Sequence, residues 1–215
     1  MIRPFPELIQ SLRHRLEKPL PGPPAQYRMA PFGRQERVNT AQLQGDFRPS
    51  AVLILLYPNP EPHFVLTLRH QYGGMHSGQV SLPGGRLEPE DIDLKHTALR
   101  ETEEEVGVSQ SEVEVIGRLT TLPIPVSRFE VHPFVGALSS PPVFTPEPKE
   151  VARIIETPLP LLTDPATRQQ TMMDLMKYKN VQVPYFSLDG ETVWGATAMI
   201  LSEFVEILKG DELDV

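Results

Sequence analysis

The chain has 215 residues, a formal net charge of −8 and 40% hydrophobic residues. This length suits one sizeable domain with a real core, and the negative charge argues against non-specific binding to nucleic acid. Because the chain contains no cysteine, disulfides, thiolate metal sites and a cysteine nucleophile are excluded. An anionic substrate would have to be received by a local concentration of positive charge.

The predicted elements begin with an amphipathic helix over residues 5–17, and prolines interrupt the segment 18–50, which reads as a long loop with at most one short strand. We therefore expect residues 1–48 to form a helix and an extended segment packed on a domain that spans 49–210. The longest apolar run, Ala51–Tyr57, is far too short for a membrane span, and the first residues lack the apolar core of a signal peptide. We expect a cytoplasmic protein that does not bind membranes.

The apolar run predicts a buried strand, and alternating patterns predict several more. These further strands are His63–His70, Ser111–Leu119, Val131–Leu138, Val183–Leu188 and Glu191–Trp194. Helices are expected over Asp91–Val106, Leu159–Leu162 and Ala196–Leu208, with a proline-rich loop over Ser139–Lys149. Strands and helices that share one core indicate an α/β or α+β layered domain.

The helix over Asp91–Val106 carries four glutamates near its end. At about 100° per residue, Glu101, Glu104 and Glu105 fall along one edge of the buried face, whereas Glu103 points to water. Like charges at i,i+4 cost about 0.2–0.5 kcal/mol even in an isolated helix, and the negative end of the helix dipole adds to this cost. A bound divalent cation would remove the conflict, because Mg²⁺ and Mn²⁺ prefer carboxylate oxygens. The alternative interpretation is a solvated acidic helix end.

A glycine-rich segment precedes this helix. Gly84 and Gly85 permit close backbone approach, and they lie just before a helix N-terminus, where free amides attract anions. A glycine loop that leads into a helix with convergent carboxylates favours a site for a metal ion and an anionic substrate.

The segment His76–Val108 resembles the Nudix hydrolase family. The box of that family runs Gly, five residues, Glu, seven residues, then Arg-Glu-aliphatic-any-Glu-Glu-any-Gly-aliphatic. The matching residues are Gly85, Arg100, Glu101, Glu104, Glu105, Gly107 and Val108. The interval from Gly85 to Arg100 is one residue longer than in the general box, Asp91 stands near the place of the first Glu, and Thr102 replaces an aliphatic residue.

The similarity is greatest to the coenzyme A pyrophosphatase branch, which shares the longer interval and carries Leu-Thr-x-Arg and Gly-x-x-x-Phe-Pro-Gly-Gly upstream. Here "LTLRH" supplies Leu66, Thr67 and Arg69, and "GQVSLPGG" supplies Gly78, Pro83, Gly84 and Gly85. Leu82 replaces the usual Phe, His70 the usual Ser, and Gly74 the usual Arg. With "HPFVG", "KEVARIIETPL" and "VWGATA", the resemblance covers residues 50–208.

The resemblance implies an α/β/α sandwich with a mixed β-sheet, and hydrolysis of the pyrophosphate bond of coenzyme A or its derivatives to 3′,5′-ADP and phosphopantetheine. It implies Mg²⁺ or Mn²⁺ held by Glu101 and Glu105 together with Glu104. Glu104 or Glu150 would accept a proton, and Arg100 would brace the glycine loop or the glutamates. The candidate substrate-binding residues are Arg69, Gly84, Gly85, Arg86 and His76; for both arginines a solvated surface charge is the alternative, and for His76 a turn hydrogen bond.

Three alternatives stay open at this point. The first is a Nudix hydrolase of another nucleoside diphosphate derivative, such as ADP-ribose or a dinucleotide. The second is a non-catalytic Nudix-fold binding module, and the third is an acidic interaction protein. In the first case, as for coenzyme A, the partner is a small nucleotide-containing substrate, and the protein is a monomer or a homodimer.

Overall fold

The structure is a computed structural model that describes residues 4–32, 46–70, 78–175 and 178–210. Its α-helices are α1 (Phe5–Leu16), α2 (Pro23–Gln26), α3 (Leu94–Val106), α4 (Leu159–Thr163) and α5 (Gly195–Lys209). Its strands are β1 (Arg48–Asn59), β2 (Glu61–Arg69), β3 (Val80–Ser81), β4 (Gly84–Arg86), β5 (Glu114–Arg118), β6 (Leu122–Ile124), β7 (Phe129–Ala137), β8 (Val151–Pro158), β9 (Arg168–Leu175), β10 (Tyr178–Leu188) and β11 (Glu191–Trp194).

The large sheet is mixed and has β1 at its centre. Its order is β3-β2-β1-β7-β5, with β4 on β1, β6 on β7 and β8 on β2. The strands β1 and β7 run parallel, whereas β1 runs antiparallel to β2 and to β4. A separate antiparallel sheet has the order β11-β10-β9. The mixed sheet that the resemblance implied is therefore confirmed.

The central strand is apolar along its length because both of its faces are buried. Leu53 and Leu55 pack with Ala98 of α3 on one face, while Ile54 and Leu56 pack with residues of α1 and α5 on the other. The large sheet thus lies between α3 on one side and α1 with α5 on the other. This is the α/β/α sandwich that was expected.

A buried carboxylate joins the N-terminal segment to α5. Glu203 is fully buried and accepts hydrogen bonds from the Gly22 amide at 3.0 Å, Gln26 Nε2 at 2.9 Å and the Thr120 amide at 3.3 Å. The segment 18–50, which was expected to be a long loop, also contains two short helical elements, α2 and the 3₁₀ turn Tyr27–Met29. The division into residues 1–48 and 49–210 stays a prediction.

Several predicted boundaries are corrected by local chemistry. The helix α3 begins at Leu94 and not at Asp91, because the Asp93 carboxylate accepts a hydrogen bond from the His96 amide at 2.7 Å and caps the helix. It ends at Gly107, whose φ of 75° is left-handed. The strands β8 and β9 were not predicted, because exposed polar residues break the apolar alternation in both. None of the helices in the described ranges has the length and apolar character needed to cross a membrane.

Candidate active site

The two glycines of β4 let the backbone pack closely on both sides. Gly85 and Gly84 pair with Ala51 and Val52 of β1. A side chain at Gly84, where φ is 151°, would collide with the Ala51 carbonyl oxygen and the Val52 backbone. A Cβ atom at Gly85 would collide with the carboxylate of Glu101. Glycine at these positions therefore allows a carboxylate of α3 to lie directly against β4.

Asp91 joins the segment before α3 to the helix. Its side chain is inaccessible to solvent, and its carboxylate accepts hydrogen bonds from Arg100 Nε at 2.9 Å, Arg100 Nη2 at 3.0 Å, Thr97 Oγ1 at 2.9 Å and the Glu88 amide at 2.9 Å. The hydrogen bonds from Arg100 are the main reason that the pKa of Asp91 lies well below its usual range. Asp91 is thus an ionised anchor for Arg100.

Arg100 distributes the rest of its hydrogen bonds over β4 and α3. Its Nη2 donates to the Arg86 carbonyl oxygen at 3.1 Å and to Glu101 Oε1 at 3.1 Å, and its Nη1 donates to Glu104 Oε2 at 3.0 Å. Only 14% of its side chain is exposed. Arg100 therefore fixes the glycine strand and the glutamates relative to each other.

Glu105 is the most buried of the clustered glutamates. Its side chain is 3% exposed, and its Oε1 lies 3.5 Å from Arg69 Nη1. Burial raises the pKa of Glu105 to about 8; Arg69 opposes this shift and the nearby Glu101 reinforces it. The pKa of Glu101 is raised as well, chiefly by burial, with Arg100 acting against the shift. The two carboxylates therefore disfavour each other's charge.

A loop returns to the end of α3 and brings a further carboxylate to the cluster. The amides of Thr145 and Glu147 donate to the carbonyl oxygens of Val106 and Glu105 at 2.9 and 3.1 Å. Just beyond them, Glu150 Oε2 lies 3.8 Å from Arg69 Nη2. Arg69 thus stands between a buried and a half-exposed glutamate, at the point where β2 ends.

The model of the family described as the NUDIX domain matches residues 47–171, more than half of the chain. The chain belongs to the Nudix family. A protein named "Uncharacterized Nudix hydrolase NudL" from Yersinia enterocolitica is 35% identical over 158 residues, which are 73% of this chain and 80% of that protein. Its namesake from Yersinia pestis is 34% identical over 168 residues, 74% of this chain and 79% of that protein. A MutT protein from Methanosarcina mazei superposes with a TM-score of 0.49 and 15% identity, over 80% of this chain and 99% of that one.

This Nudix hydrolase is a pyrophosphohydrolase, an enzyme that cleaves a phosphoric anhydride in derivatives of nucleoside diphosphates. Nudix hydrolases generally need divalent metal ions. The described residues contain no ready cluster of three His, Asp or Glu side chains around a metal position, and Arg69 and Arg100 pair with several of the carboxylates. The donor set nevertheless fits a hard cation, which prefers carboxylate oxygens: Glu105 Oε2 is buried without a hydrogen-bond partner in the described part of the chain, and the charges of Glu101 and Glu150 act on the same carboxylate.

The structure brings most of the predicted site residues of this Nudix hydrolase together. Arg69, Glu101, Glu105 and Glu150 interact directly or through their charges. The expected directions of two glutamates are wrong: Glu104 is the more exposed, at 57%, whereas Glu103 is half-buried and accepts a hydrogen bond from Gln110 Nε2. The helical period of about 100° per residue predicts where each Cβ lies, but it does not predict which neighbouring residue covers the carboxylate.

The structure gives a different outcome for each of two other predicted residues, Arg86 and His76. The side chain of Arg86 covers the Phe129 ring, with 5.1 Å between its guanidinium carbon and the ring centroid. His76 lies outside the described residues. Conversely, the sequence analysis did not place Asp91 in the site, although its position relative to the family box was a usable signal.

Without a divalent ion, this Nudix hydrolase is expected to lose stability as the pH rises from about 5 to about 8. The pKa of Glu105 is raised from 4.5 to about 8, so in this window the folded state holds a proton that the unfolded state has released, and the free energy of unfolding falls. At about 1.4 kcal/mol per pKa unit, the loss is on the order of 4 kcal/mol. Urea unfolding in EDTA at several pH values measures it, and millimolar Mg²⁺ or Mn²⁺ should remove most of the slope. A metal-free free energy that is constant over this window would contradict the expectation.

Proposed function

We propose that this Nudix hydrolase cleaves the diphosphate of coenzyme A or its derivatives with Mg²⁺ or Mn²⁺, releasing 3′,5′-ADP and phosphopantetheine. One observation carries the proposal: the two upstream stretches that resemble the coenzyme A branch meet beside the glutamates. Thr67 of "LTLRH" pairs in register with Ser81 of "GQVSLPGG", and their hydroxyl oxygens are 3.1 Å apart. Two residues on, Arg69 reaches Glu105.

In this proposal Glu101 and Glu105 hold the cation, and Glu104 completes the acidic set. A divalent cation at this position would supply charge neutralisation and Lewis acidity to the diphosphate. The chain supplies the rigidity, since Arg100 ties the Glu101 carboxylate to β4 and the amide of Glu147 ties the Glu105 backbone to the loop. These contacts fix the carboxylates before the substrate arrives, which reduces the cost of ordering them in the transition state.

We assign the acceptance of the proton from the attacking water to Glu150. Glu104 is engaged in a 3.0 Å ion pair with Arg100, whereas among the described residues the Glu150 carboxylate has a longer contact, at 3.8 Å, with Arg69. About half of the Glu150 side chain is exposed, at 53%, so its carboxylate is accessible to a water molecule. An accessible carboxylate next to the reacting group is suited to act as a general base.

Arg69, Gly84 and Gly85 are the residues of this chain that would receive the diphosphate. The side chain of Arg69 is 28% exposed, and the planar donors of its guanidinium match phosphate oxygens. The two glycines are partly exposed and carry no side chain, which permits close approach of an anionic group to their backbone. A contact from His76 stays a prediction, as do a cytoplasmic location and the choice between a monomer and a homodimer.

A substrate screen tests the proposed function. The purified protein is incubated with coenzyme A, ADP-ribose, NADH and diadenosine compounds, each with Mg²⁺ and with Mn²⁺, and products are separated by chromatography. Coenzyme A or an acyl derivative is expected to have a kcat/KM about tenfold or more above the others, a difference of about 1.4 kcal/mol in transition-state binding. Rapid cleavage of ADP-ribose or a dinucleotide, with coenzyme A inert, would replace the proposed substrate by that compound.

A further inference from the structure

Three exposed arginines lie together at one end of the large sheet, and we name them the arginine cluster: Arg48, Arg86 and Arg128. The guanidinium carbons of Arg48 and Arg86 lie 4.3 and 5.1 Å from the centroid of the same ring, that of Phe129. Arg128 covers the ring of Phe47 at 5.5 Å, and its carbonyl oxygen accepts a hydrogen bond from the Arg48 amide at 2.8 Å. The cluster thus gathers the start of β1, the end of β4 and the turn before β7.

The cluster concentrates positive charge for which the described residues provide no paired carboxylate. Among the described residues, no carboxylate lies within 4.0 Å of the three guanidinium groups, whereas Arg69 and Arg100 each contact two or more glutamates or aspartates. Stacking on the aromatic rings recovers about 0.5–1 kcal/mol for each exposed cation. Arg48 Nη2 also donates to the Ser127 carbonyl oxygen at 2.8 Å. All three arginines are exposed, and their remaining N–H groups are of a kind suited to bind phosphate oxygens.

The cluster is adjacent to the glutamates along the chain but lies on the other face of the sheet. Gly85 faces Glu101, and because successive residues of a strand point to opposite faces, the next residue, Arg86, points away from the glutamates. It meets Phe129, which packs on the core beneath α1 and α5. The Cα atoms of Gly85 and Arg86, as neighbours in the chain, are about 3.8 Å apart. Within the described residues β4 has a strand partner only on the β1 side.

Electrostatics favours different ligands at the glutamates of α3 and at the arginine cluster. The glutamates attract a cation and repel any phosphate that is not neutralised by it, because like charges repel strongly where burial lowers the local dielectric. A substrate that carries a further phosphate, in addition to the diphosphate, therefore needs a separate positive surface. The arginine cluster is such a surface, one residue away from the glycine that supports Glu101.

We propose that the arginine cluster binds a phosphate monoester carried by the nucleoside half of the substrate, apart from the diphosphate that is cleaved. This inference rests on the proposed function, since coenzyme A carries a 3′-phosphate on its ribose. The cluster then sets specificity: it favours substrates with that phosphate over dephospho-coenzyme A and ADP-ribose, which lack it. Arg86 is accordingly a specificity residue and not a ligand of the reacting diphosphate.

The test removes the three charges together. The triple variant Arg48→Gln, Arg86→Gln, Arg128→Gln is compared with the wild type by titration calorimetry, with 3′,5′-ADP and 5′-AMP as probes that differ only in the 3′-phosphate. The wild type should bind 3′,5′-ADP about 10- to 100-fold more tightly, which is about 1.4–2.8 kcal/mol, and the triple variant should bind both within about twofold. Arg118→Gln is the matched control, because Arg118 is an exposed arginine of β5 outside the cluster, and it should keep the wild-type preference. Thermal melting verifies that each variant is folded.

The same variants are assayed for the ratio of kcat/KM between coenzyme A and dephospho-coenzyme A, which should fall in parallel. The inference is overturned if the wild type has no preference for 3′,5′-ADP or if the triple variant retains it. It is also overturned if the cluster binds inorganic phosphate but does not distinguish the two nucleotides, since it would then be an anion site unrelated to the substrate. Calorimetry needs no turnover, so an inactive wild type with a cluster-dependent preference would remove the proposed function and leave the cluster intact.

Discussion

Glu105→Gln is expected to lower metal-dependent turnover by about 10²- to 10³-fold, the range typical for loss of one charge-stabilising group in a catalytic site. The substitution keeps the shape of the side chain but removes its negative charge. In the wild type that charge is shared by Oε2, which has no hydrogen-bond partner among the described residues. In EDTA at pH 8 the variant should be more stable than the wild type, because the cost of burying that charge disappears. Steady-state kinetics and thermal melting measure the two effects.

Two other variants separate the roles of the acidic residues. Glu103→Gln is the matched control on the same helix, since the Glu103 carboxylate accepts a hydrogen bond from Gln110. Its turnover should stay within about twofold of the wild type, as for most surface changes.

Glu150→Gln should lower kcat yet leave stabilisation by Mg²⁺ intact, because Glu101 and Glu105 still hold the ion. Turnover of Glu105→Gln near the wild-type level would rule out the proposed metal position.

Asp91→Asn is expected to destabilise the metal-free protein by about 3–5 kcal/mol, the usual cost of removing one partner of a buried ion pair. Arg100, which is 14% exposed, would stay charged after losing its two hydrogen bonds to an ionised carboxylate. Since Arg100 also fixes Arg86 and Glu101, turnover should fall as well. Urea unfolding at pH 7 measures the stability. In the wild type this contribution is present at neutral pH and is lost as the pH falls below about 4, because the folded pKa of Asp91 is depressed.

Asp93→Ala provides the comparison for this experiment. Asp93 lies two residues further along and only caps α3, through its 2.7 Å hydrogen bond from the His96 amide. Loss of such a cap costs about 1 kcal/mol. A cost for Asp91→Asn no larger than that for Asp93→Ala would mean that the bond from Asp91 to Arg100 does not support the site.

The features that could be predicted from the sequence are those set by local pattern. The apolar run of β1 indicated a strand buried on both faces, and the position of Gly107 indicated where α3 ends, at a left-handed residue. The glycines before α3 indicated a close approach to their backbone, and a Cβ at Gly85 would indeed collide with Glu101. Each of these depends on neighbours within a few residues or on one helical face.

The features that could not be predicted depend on contacts between distant segments. Arg69 read either as a phosphate ligand or as a solvated strand end, because its position between Glu105 and Glu150 requires the pairing of β2 with β8. That pairing was invisible, since β8 carries exposed charged residues such as Arg153. The anchoring of Arg100 by Asp91 likewise joins residues nine positions apart, which the interval from Gly85 alone does not reveal.

The carboxylate of Glu203 has a practical implication for anyone who shortens this protein. Two of its hydrogen-bond donors, Gly22 and Gln26, precede residue 47, where the match to the family model starts. In a fragment that begins at residue 47, the buried Glu203 carboxylate would keep one of these three donors, the Thr120 amide. The same truncation would expose apolar surface on α5. The residues before 47 therefore complete the hydrogen bonding and the packing around α5, and a fragment without them is expected to fold less stably.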